Sequence, residues 1–525
     1  MSTILIKTFN LIFTYTTHFK NMLNNKFLLN NRCSTFIEKF LMLIVTLFLA
    51  TFSNAQFEAT HLDVNKLDVN KSTQSILPAT VVKALFQTKI PPQNISVTVD
   101  RLSDGQRIID YQSKKTMAPA SLIKLVTSFV GLTMLGQNFQ WQTPVFIDGK
   151  IKNNTLYGNL YIKGYGDPQL VPELLEQLVA DIQLAGIKHI QGNIVLEKSY
   201  FASETRDALP LDDDTHAPYN VGPDALLYAY KSVLFTLTPN PNGQVDISPL
   251  PHIRQVQIDN QLQTSAGKCN VATIKSTLTP IIKTLSDGRI VVTFKGILPI
   301  DCGPQVVKQA FSNHSQFFVG GFLAIWHQYG GTFSGGINES AIPHSAQLIA
   351  THRSRPLADI VADMNKFSNN VIARNLFLTL GAIGNKPPAD LQESFKVVKK
   401  WLSKQHIDVR NLIIDNGSGL SRQSRLNSNQ LNALLRAAYK SPIFGTFIHS
   451  LPIACKDGSM KKRLCQSVAA EKAFIKTGTL NNVRSISGYV QSNNNDLYAV
   501  TSIINDKNAE NAELVHDNLI KWLAR

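Results

Sequence analysis

Residues 119–136 read PASLIKLVTSFVGLTMLG. Leu122, Leu125, Val126, Phe129, Val130 and Leu132 recur at helical spacing, which predicts a helix over Ser121–Leu135. Pro119 suits its entrance, and Gly136 suits its C-terminal cap. Positions i and i+3 share a helix face, so Lys124 projects beside Ser121. A serine is a weak nucleophile until a base takes its proton. A lysine can be that base only when burial or a second cation lowers its pKa. The helix N-terminus adds positive potential at the serine.

Two later strings complete a constellation with this S-x-x-K. Ser368-Asn369-Asn370 is S-x-N, and Lys476-Thr477-Gly478 is K-T-G. S-x-x-K by itself carries little weight, since Ser265/Lys268 and Ser459/Lys462 match it too. Those two lie among polar residues, whereas Ser121 heads an apolar helix. The ordered triple is far more specific than its parts. Lys476 supplies the second cation if its strand passes the same cleft. Ser368 is placed to relay a proton between Lys124 and a leaving group, and Asn370 to hold Lys124 and a substrate amide. Lys476 and Thr477 suit a substrate carboxylate. Gly478 removes a side chain so that a substrate can lie along the strand edge. The backbone N–H groups of Ser121 and Thr479 are the expected oxyanion hole.

Around these strings the chain reads as an α/β protein of several domains. A length of 525 residues buries a large core. Ile95–Tyr111 reads as two strands joined at Ser103-Asp104-Gly105. Residues 146–345 change character: strand-like runs such as LYGNLYIKG, GNIVLEK, RQVQIDNQL and RIVVTFKG dominate, interrupted by a helix over Glu173–Ala185. This is a candidate insertion of two smaller, mostly-β modules. Helices return with Leu357, Ile360, Val361 and Met364 on one face, then Asn375–Leu380 and Ser394–Lys404. Phe474–Ile504 reads as strands around a turn at Ser492–Asp496. Leu514, Val515, Leu519, Ile520 and Leu523 line a terminal helix. A hairpin and helix at the start, with strands and a helix at the end, predict one domain built from 81–145 and 346–525.

Composition, at 44% hydrophobic and 17% charged, excludes a solenoid, a collagen or a long disordered tail. The formal charge is +15, of which residues 1–55 supply +4 from five Lys/Arg and one Glu. The basic residues are scattered and carry no nucleic-acid motif, so no nucleic-acid partner is expected. Phe40–Phe52 is an apolar run, FLMLIVTLFLATF, preceded by Arg32 and Lys39 and followed by Ser53-Asn54-Ala55. It is shorter than the roughly 20 residues that span a bilayer, so 1–55 reads as a signal peptide, with Met22 an alternative start. Residues 56–80, with LDVNKLDVNKS, read as a flexible lead-in. The expectation is an exported, periplasmic protein with no integral membrane segment after processing. Beyond Cys33 there are four cysteines, Cys269, Cys302, Cys455 and Cys465, an even number that fits an exported chain. Spacing suggests the neighbours Cys269–Cys302 and Cys455–Cys465, although four cysteines allow three pairings. There is no C-x-x-C, no H-E-x-x-H and no His at zinc spacing, so neither metal nor cofactor is expected.

At its three motifs the chain resembles the peptidase S13 family, the class C low-molecular-mass penicillin-binding proteins of the penicillin-binding protein 4 type. The likeness extends to Gly166-Asp167-Pro168, Ser354-Arg355-Pro356-Leu357, Gly417-Ser418-Gly419-Leu420-Ser421-Arg422, Ser450-Leu451-Pro452, Asp457-Gly458-Ser459 and Lys476-Thr477-Gly478-Thr479-Leu480. The long separation of Ser121 from Ser368 also resembles that family, in which extra domains are inserted between the first two motifs. The resemblance implies a β-lactamase/transpeptidase-like domain with two insertions. It implies a serine D-Ala-D-Ala carboxypeptidase, and a DD-endopeptidase on cross-links, acting on peptidoglycan stem peptides through a Ser121 acyl-enzyme. β-Lactam antibiotics would be covalent inhibitors, and a homodimer stays open. Three departures stand out: Ala373-Arg374 where the family often has Ala-Glu, Cys455 where it often has Gly, and Ser459 where it usually has Thr.

Two other readings compete. A serine β-lactamase needs rapid deacylation, and no Glu-containing loop assignable to that role is visible. A non-catalytic cell-wall binding protein could keep the fold. Arg374 leaves that reading room, whereas the complete triad argues against it.

Overall fold

The computed structural model describes residues 76–525, except 207–210, 213, 271–273 and 312. The signal-peptide expectation and residues 56–75 of the lead-in lie outside the described residues. Among the described residues, no helix is long and apolar enough to cross a membrane.

One five-stranded antiparallel sheet is assembled from both ends of the chain. Its order is Ala473–Leu480, Val483–Gln491, Leu497–Asn505, Ile95–Arg101, Arg107–Tyr111. Ile95–Arg101 pairs in register with Leu497–Asn505, from Ile95 opposite Ile504 to Arg101 opposite Tyr498. Because side chains alternate across a strand, this sheet presents two different faces. Ile95, Val97, Val99, Ile486, Val490, Val500 and Ile504 join the core under the helices Ala79–Thr88 and Glu513–Leu523. The alternate positions Ser96, Thr98 and Asp100 are buried against Ser428–Tyr439 on the other side. Their polar groups are satisfied there. Ser428 Oγ lies 2.7 Å from Ser96 Oγ and 2.6 Å from Thr98 Oγ1. Asn432 Nδ2 donates to Asp100 Oδ2 at 2.9 Å. Buried polar groups cost free energy unless so paired.

The helical layer on that side contains Ile123–Leu135, Leu357–Lys366, Asn370–Gly384, Leu391–Lys404 and Phe444–Ser450. Its core includes Leu125, Phe129, Ile360, Met364, Leu376 and Leu380. Phe129 meets Trp401 edge-on at 5.3 Å and Phe447 at 5.5 Å between ring centroids.

Among the described residues, four further sheets lie between these halves. Gln142–Ile147, Leu160–Lys163, Ile194–Glu197, Ile337–Glu339 and Gln347–Arg353 form one sheet of five strands. A four-stranded sheet of short strands lies beside it in sequence. Two three-stranded sheets use residues 232–310. Two helices, Pro172–Leu184 and His314–Gln328, share their apolar core. The second helix was not anticipated: its sequence, HSQFFVGGFLAIWHQ, is buried on nearly all sides and so shows no single apolar stripe. The helix expected at Asn375–Leu380 is longer, from Asn370 to Gly384. Ala79–Thr88 is a helix at the end of the expected lead-in.

Truncating Phe129 removes the ring that joins three helices. We expect Phe129→Ala to lose about 3–5 kcal/mol of stability in chemical denaturation. A loss below about 1 kcal/mol would show that the site collapses around the gap.

Candidate active site

Ser121 sits in a 3-10 turn, Ala120–Leu122, that runs directly into the helix Ile123–Leu135. The helix expected from Ser121 therefore begins with a tighter turn. Ala120 has φ 51°, a conformation that costs a non-glycine residue free energy. Ser485 Oγ donates to Pro119 O at 2.8 Å, and Asn505 clasps Ala118 through Asn505 Oδ1 (2.8 Å) and Nδ2 (3.0 Å). The sheet thus fixes the serine's approach from two strands.

Lys124 is fully buried. Its Nζ donates to Ser121 Oγ at 3.1 Å, Asn370 Oδ1 at 2.7 Å and Ser418 O at 2.6 Å. None of these acceptors carries a charge. Burial therefore drives its pKa well below that of a free lysine, with Lys476 and then Arg374 adding repulsion. Asn370 starts the helix Asn370–Gly384, and Asn369 caps it by accepting from Val371 N and Ile372 N. Ser368, just ahead of the cap, has φ 54°.

Lys476 is also fully buried, on the edge strand Ala473–Leu480. Its Nζ donates to Ser368 Oγ and to Thr477 O, both at 2.8 Å. Burial brings its pKa down to about 7. The hydrogen bonds form two groups, Ser121–Lys124–Asn370 and Ser368–Lys476, close enough that Lys476 acts on the Lys124 charge. The partner of Ser368 here is Lys476, whereas the sequence reading tied Ser368 to Lys124.

Gly478 has a packing role that the sequence reading did not include. Lys476 and Gly478 share a strand face, and that face is turned toward the Ser121 turn. A Cβ on Gly478 would lie 2.3 Å from Ser485 Oγ, 2.9 Å from Pro119 O and 3.1 Å from Ala120 Cβ. The missing side chain lets the Ser121 turn close onto the strand. Thr477 and Thr479 alternate to the opposite face, where Thr477 is partly exposed and Thr479 exposed.

Sequence reasoning missed several participants. Ser418 acts through its carbonyl, held by a local turn in which Ser418 N and Oγ both donate to Asn416 Oδ1. Thr127 Oγ1 grips the adjacent Gly417 O at 2.6 Å. Tyr219, from the inserted region, offers its carbonyl to Asn370 Nδ2 at 3.1 Å. Arg374 is buried, and its Nη1 donates to Val221 O and, at 3.5 Å, to Tyr219 O. Burial lowers its pKa to about 10, with Asp415 opposing the shift. The Gly417-Ser418-Gly419 string and the Ala373-Arg374 departure were the available signals. Cys269 is bonded to Cys302, and Cys455 to Cys465. Among the described residues, no group of three or more His, Cys, Asp or Glu side chains could hold a metal.

Known proteins resemble this chain in sequence and fold over most of its length. Residues 77–525 match the D-Ala-D-Ala carboxypeptidase 3 (S13) family, and the chain belongs to that family. It is 28% identical over 425 residues to the D-alanyl-D-alanine carboxypeptidase DacB of Haemophilus influenzae, covering 79% of this chain and 86% of that one. It is 26% identical over 443 residues to a D-alanyl-D-alanine carboxypeptidase of Actinomadura sp., covering 81% of this chain and 80% of that one. The crystal structure of penicillin binding protein 4 from Haemophilus influenzae superposes with a TM-score of 0.69 at 28% identity, covering 85% of this chain and 99% of that one. Its complex with a β-lactam gives 0.67 at 26% identity, covering 85% and 100%. The fold is the multidomain transpeptidase/β-lactamase-like one that the motifs implied.

A methyl group at 478 would push the Ser121 turn away from Lys476. We expect Gly478→Ala to retain its circular dichroism and to slow labelling of Ser121 by a fluorescent penicillin about 100-fold, as a misplacement near 1 Å does. Labelling at the parent rate would show that the turn can shift without cost.

Proposed function

We propose, from this family membership, that the chain is an exported serine D-Ala-D-Ala carboxypeptidase, and a DD-endopeptidase on cross-linked stem peptides. The observation that carries the reading is the buried Lys124 Nζ, 3.1 Å from Ser121 Oγ and without an acidic partner among its hydrogen bonds. A lysine so placed is neutral often enough to act as a base. Ser121 Oγ attacks the carbonyl carbon of the penultimate D-Ala while its proton passes to Lys124 Nζ. The N–H groups of Ser121 and Thr479 receive the oxyanion. The peptide C–N bond then breaks as the proton held on Lys124 Nζ passes, relayed by Ser368 Oγ, to the departing amine of the terminal D-Ala, and Lys124 is neutral again. Water releases the acyl group by the reverse route. Thr477 and Thr479 receive the substrate's C-terminal carboxylate, with the charge of the buried Lys476 behind them, and Asn370 holds Lys124 in line. A β-lactam presents the same carbonyl and carboxylate, so it acylates Ser121.

The neighbour captured with a β-lactam supports this reading of the cleft. The β-lactamase alternative gains nothing from the site, because no carboxylate is among the partners of Lys124. The scaffold alternative rested on Arg374, and a buried arginine that raises the local positive potential favours a neutral Lys124.

Intact-mass analysis with a penicillin tests the reaction. We expect one lasting adduct on the mature chain, its loss in Ser121→Ala, and D-Ala release from a peptide ending in D-Ala-D-Ala. No adduct on folded protein would overturn the catalytic reading, and rapid drug turnover would move it to a β-lactamase.

The two lysines set the pH dependence. As pH falls through the depressed pKa of Lys124, the base gains a proton and acylation slows. As pH rises through about 7, free Lys476 loses the charge that attracts a carboxylate. We therefore expect a bell-shaped kcat/KM, the two limbs belonging to the coupled pair. Arg374→Met removes a cation near Lys124, so its pKa rises and the acid limb moves to higher pH. An unmoved acid limb would remove Arg374 from the tuning of the base.

A further inference from the structure

The segment Cys455–Cys465, closed by its disulfide, touches both halves of the active site. Its approach is stitched to the base of the K-T-G strand. Ala454 N donates to Ala473 O at 2.9 Å, and Ile475 N to Pro452 O at 2.8 Å. Asp457 then reaches to the turn ahead of Ser368: Lys366 Nζ donates to Asp457 Oδ2 at 2.6 Å and to Leu451 O at 3.0 Å. Gly458 makes that approach possible. Its φ is +55°, and a Cβ there would lie 2.7 Å from Lys366 O. Met460 is fully buried and anchors the far side. Between these two anchors Ser459 is exposed, with its Oγ 3.0 Å from Thr477 Oγ1.

That contact has a direct use if Thr477 binds a carboxylate, as the acyl-transfer reading requires. A threonine hydroxyl has one proton and two acceptor sites. Holding a carboxylate takes the proton. A free hydroxyl turns among its rotamers and spends that proton elsewhere. A donor on Thr477 Oγ1 fills an acceptor site and leaves the proton directed into the cleft. We propose that Ser459 is a positioning residue that aims the Thr477 hydroxyl at the substrate's C-terminal carboxylate, and that the disulfide-closed loop holds it there. The loop braces the Lys366 turn against the K-T-G strand, so a single element sets the register of Ser368 and Thr477. Ser459 itself needs no contact with substrate.

The test compares two peptides ending in D-Ala-D-Ala, one with a free carboxylate and one with a C-terminal amide, on the full mature chain. In Ser459→Ala we expect kcat/KM on the acid to fall about tenfold, mainly through KM, as a lost hydrogen bond to a charged group does. The amide should change less than twofold, so the preference for the acid collapses. Ser459→Thr keeps the hydroxyl and should keep the preference. Cys455→Ser with Cys465→Ser should weaken the preference in the same direction while circular dichroism is retained. An equal fall on both peptides, or an unchanged preference in Ser459→Ala, would overturn the proposal and leave the acyl-transfer reading standing. A parent chain inactive on the free acid would overturn that reading instead.

Discussion

A lysine ammonium buried without an acidic partner is the interaction to which the rest of this molecule answers. Water solvates such a charge strongly, and the interior does not. Lys124 receives three neutral oxygens in place of water, from Ser121, Asn370 and the Ser418 backbone. An aspartate among them would have stabilised the fold more and kept the proton on the nitrogen. Its absence from that set trades stability for basicity. Lys476 and Arg374 press in the same direction. Each oxygen comes from a different part of the chain, so the surrounding architecture must hold all three against the tendency of the charge to escape to solvent.

The sheet and helical layer meet that demand. The edge strand delivers Lys476 from one side, and the helices Ile123–Leu135 and Asn370–Gly384 deliver Lys124 and Asn370 from the other. The strained φ values of Ala120 and Ser368 lie at the two places where the chain must turn a hydroxyl into the cleft. Strain of this kind persists only where the surroundings over-determine it. Here they do, through Ser485 and Asn505 on one turn and Lys366 with Asp457 on the other.

What the sequence disclosed, and what it hid, follows from how each feature is encoded. The Ser121–Lys124 contact is local, three residues along an apolar helix, and such spacing is legible in any chain. Lys476 and Ser368 were legible as members of an ordered motif set. The ladder joining Ile95–Arg101 to Leu497–Asn505 was legible in outline, since strand patterns stood at both ends. Backbone participants were not: the carbonyls of Ser418 and Tyr219 have no side-chain signature. The helix His314–Gln328 escaped because burial on nearly every side erases periodicity, although its Asn313 cap, accepting from Gln316 N, was a usable start signal. Gly478 was noticed, and its packing against the Ser121 turn was not. A glycine reports that something comes close, and only the packing reveals that the neighbour is the Ser121 turn.

The sheet's order also governs when the site can exist at all. Its central strand is the last in sequence, Leu497–Asn505, and Ile95–Arg101 is one of that strand's neighbours. A chain emerging from the ribosome therefore displays Ser121 long before it has the strand that carries Lys476. Contacts so distant in sequence form late and slowly. Until the final strands dock, the serine has its lysine but lacks Lys476, the first of the two cations that lower that lysine's pKa. The nascent protein is thus chemically quiet, and loss of the final strands at any later time would silence it again.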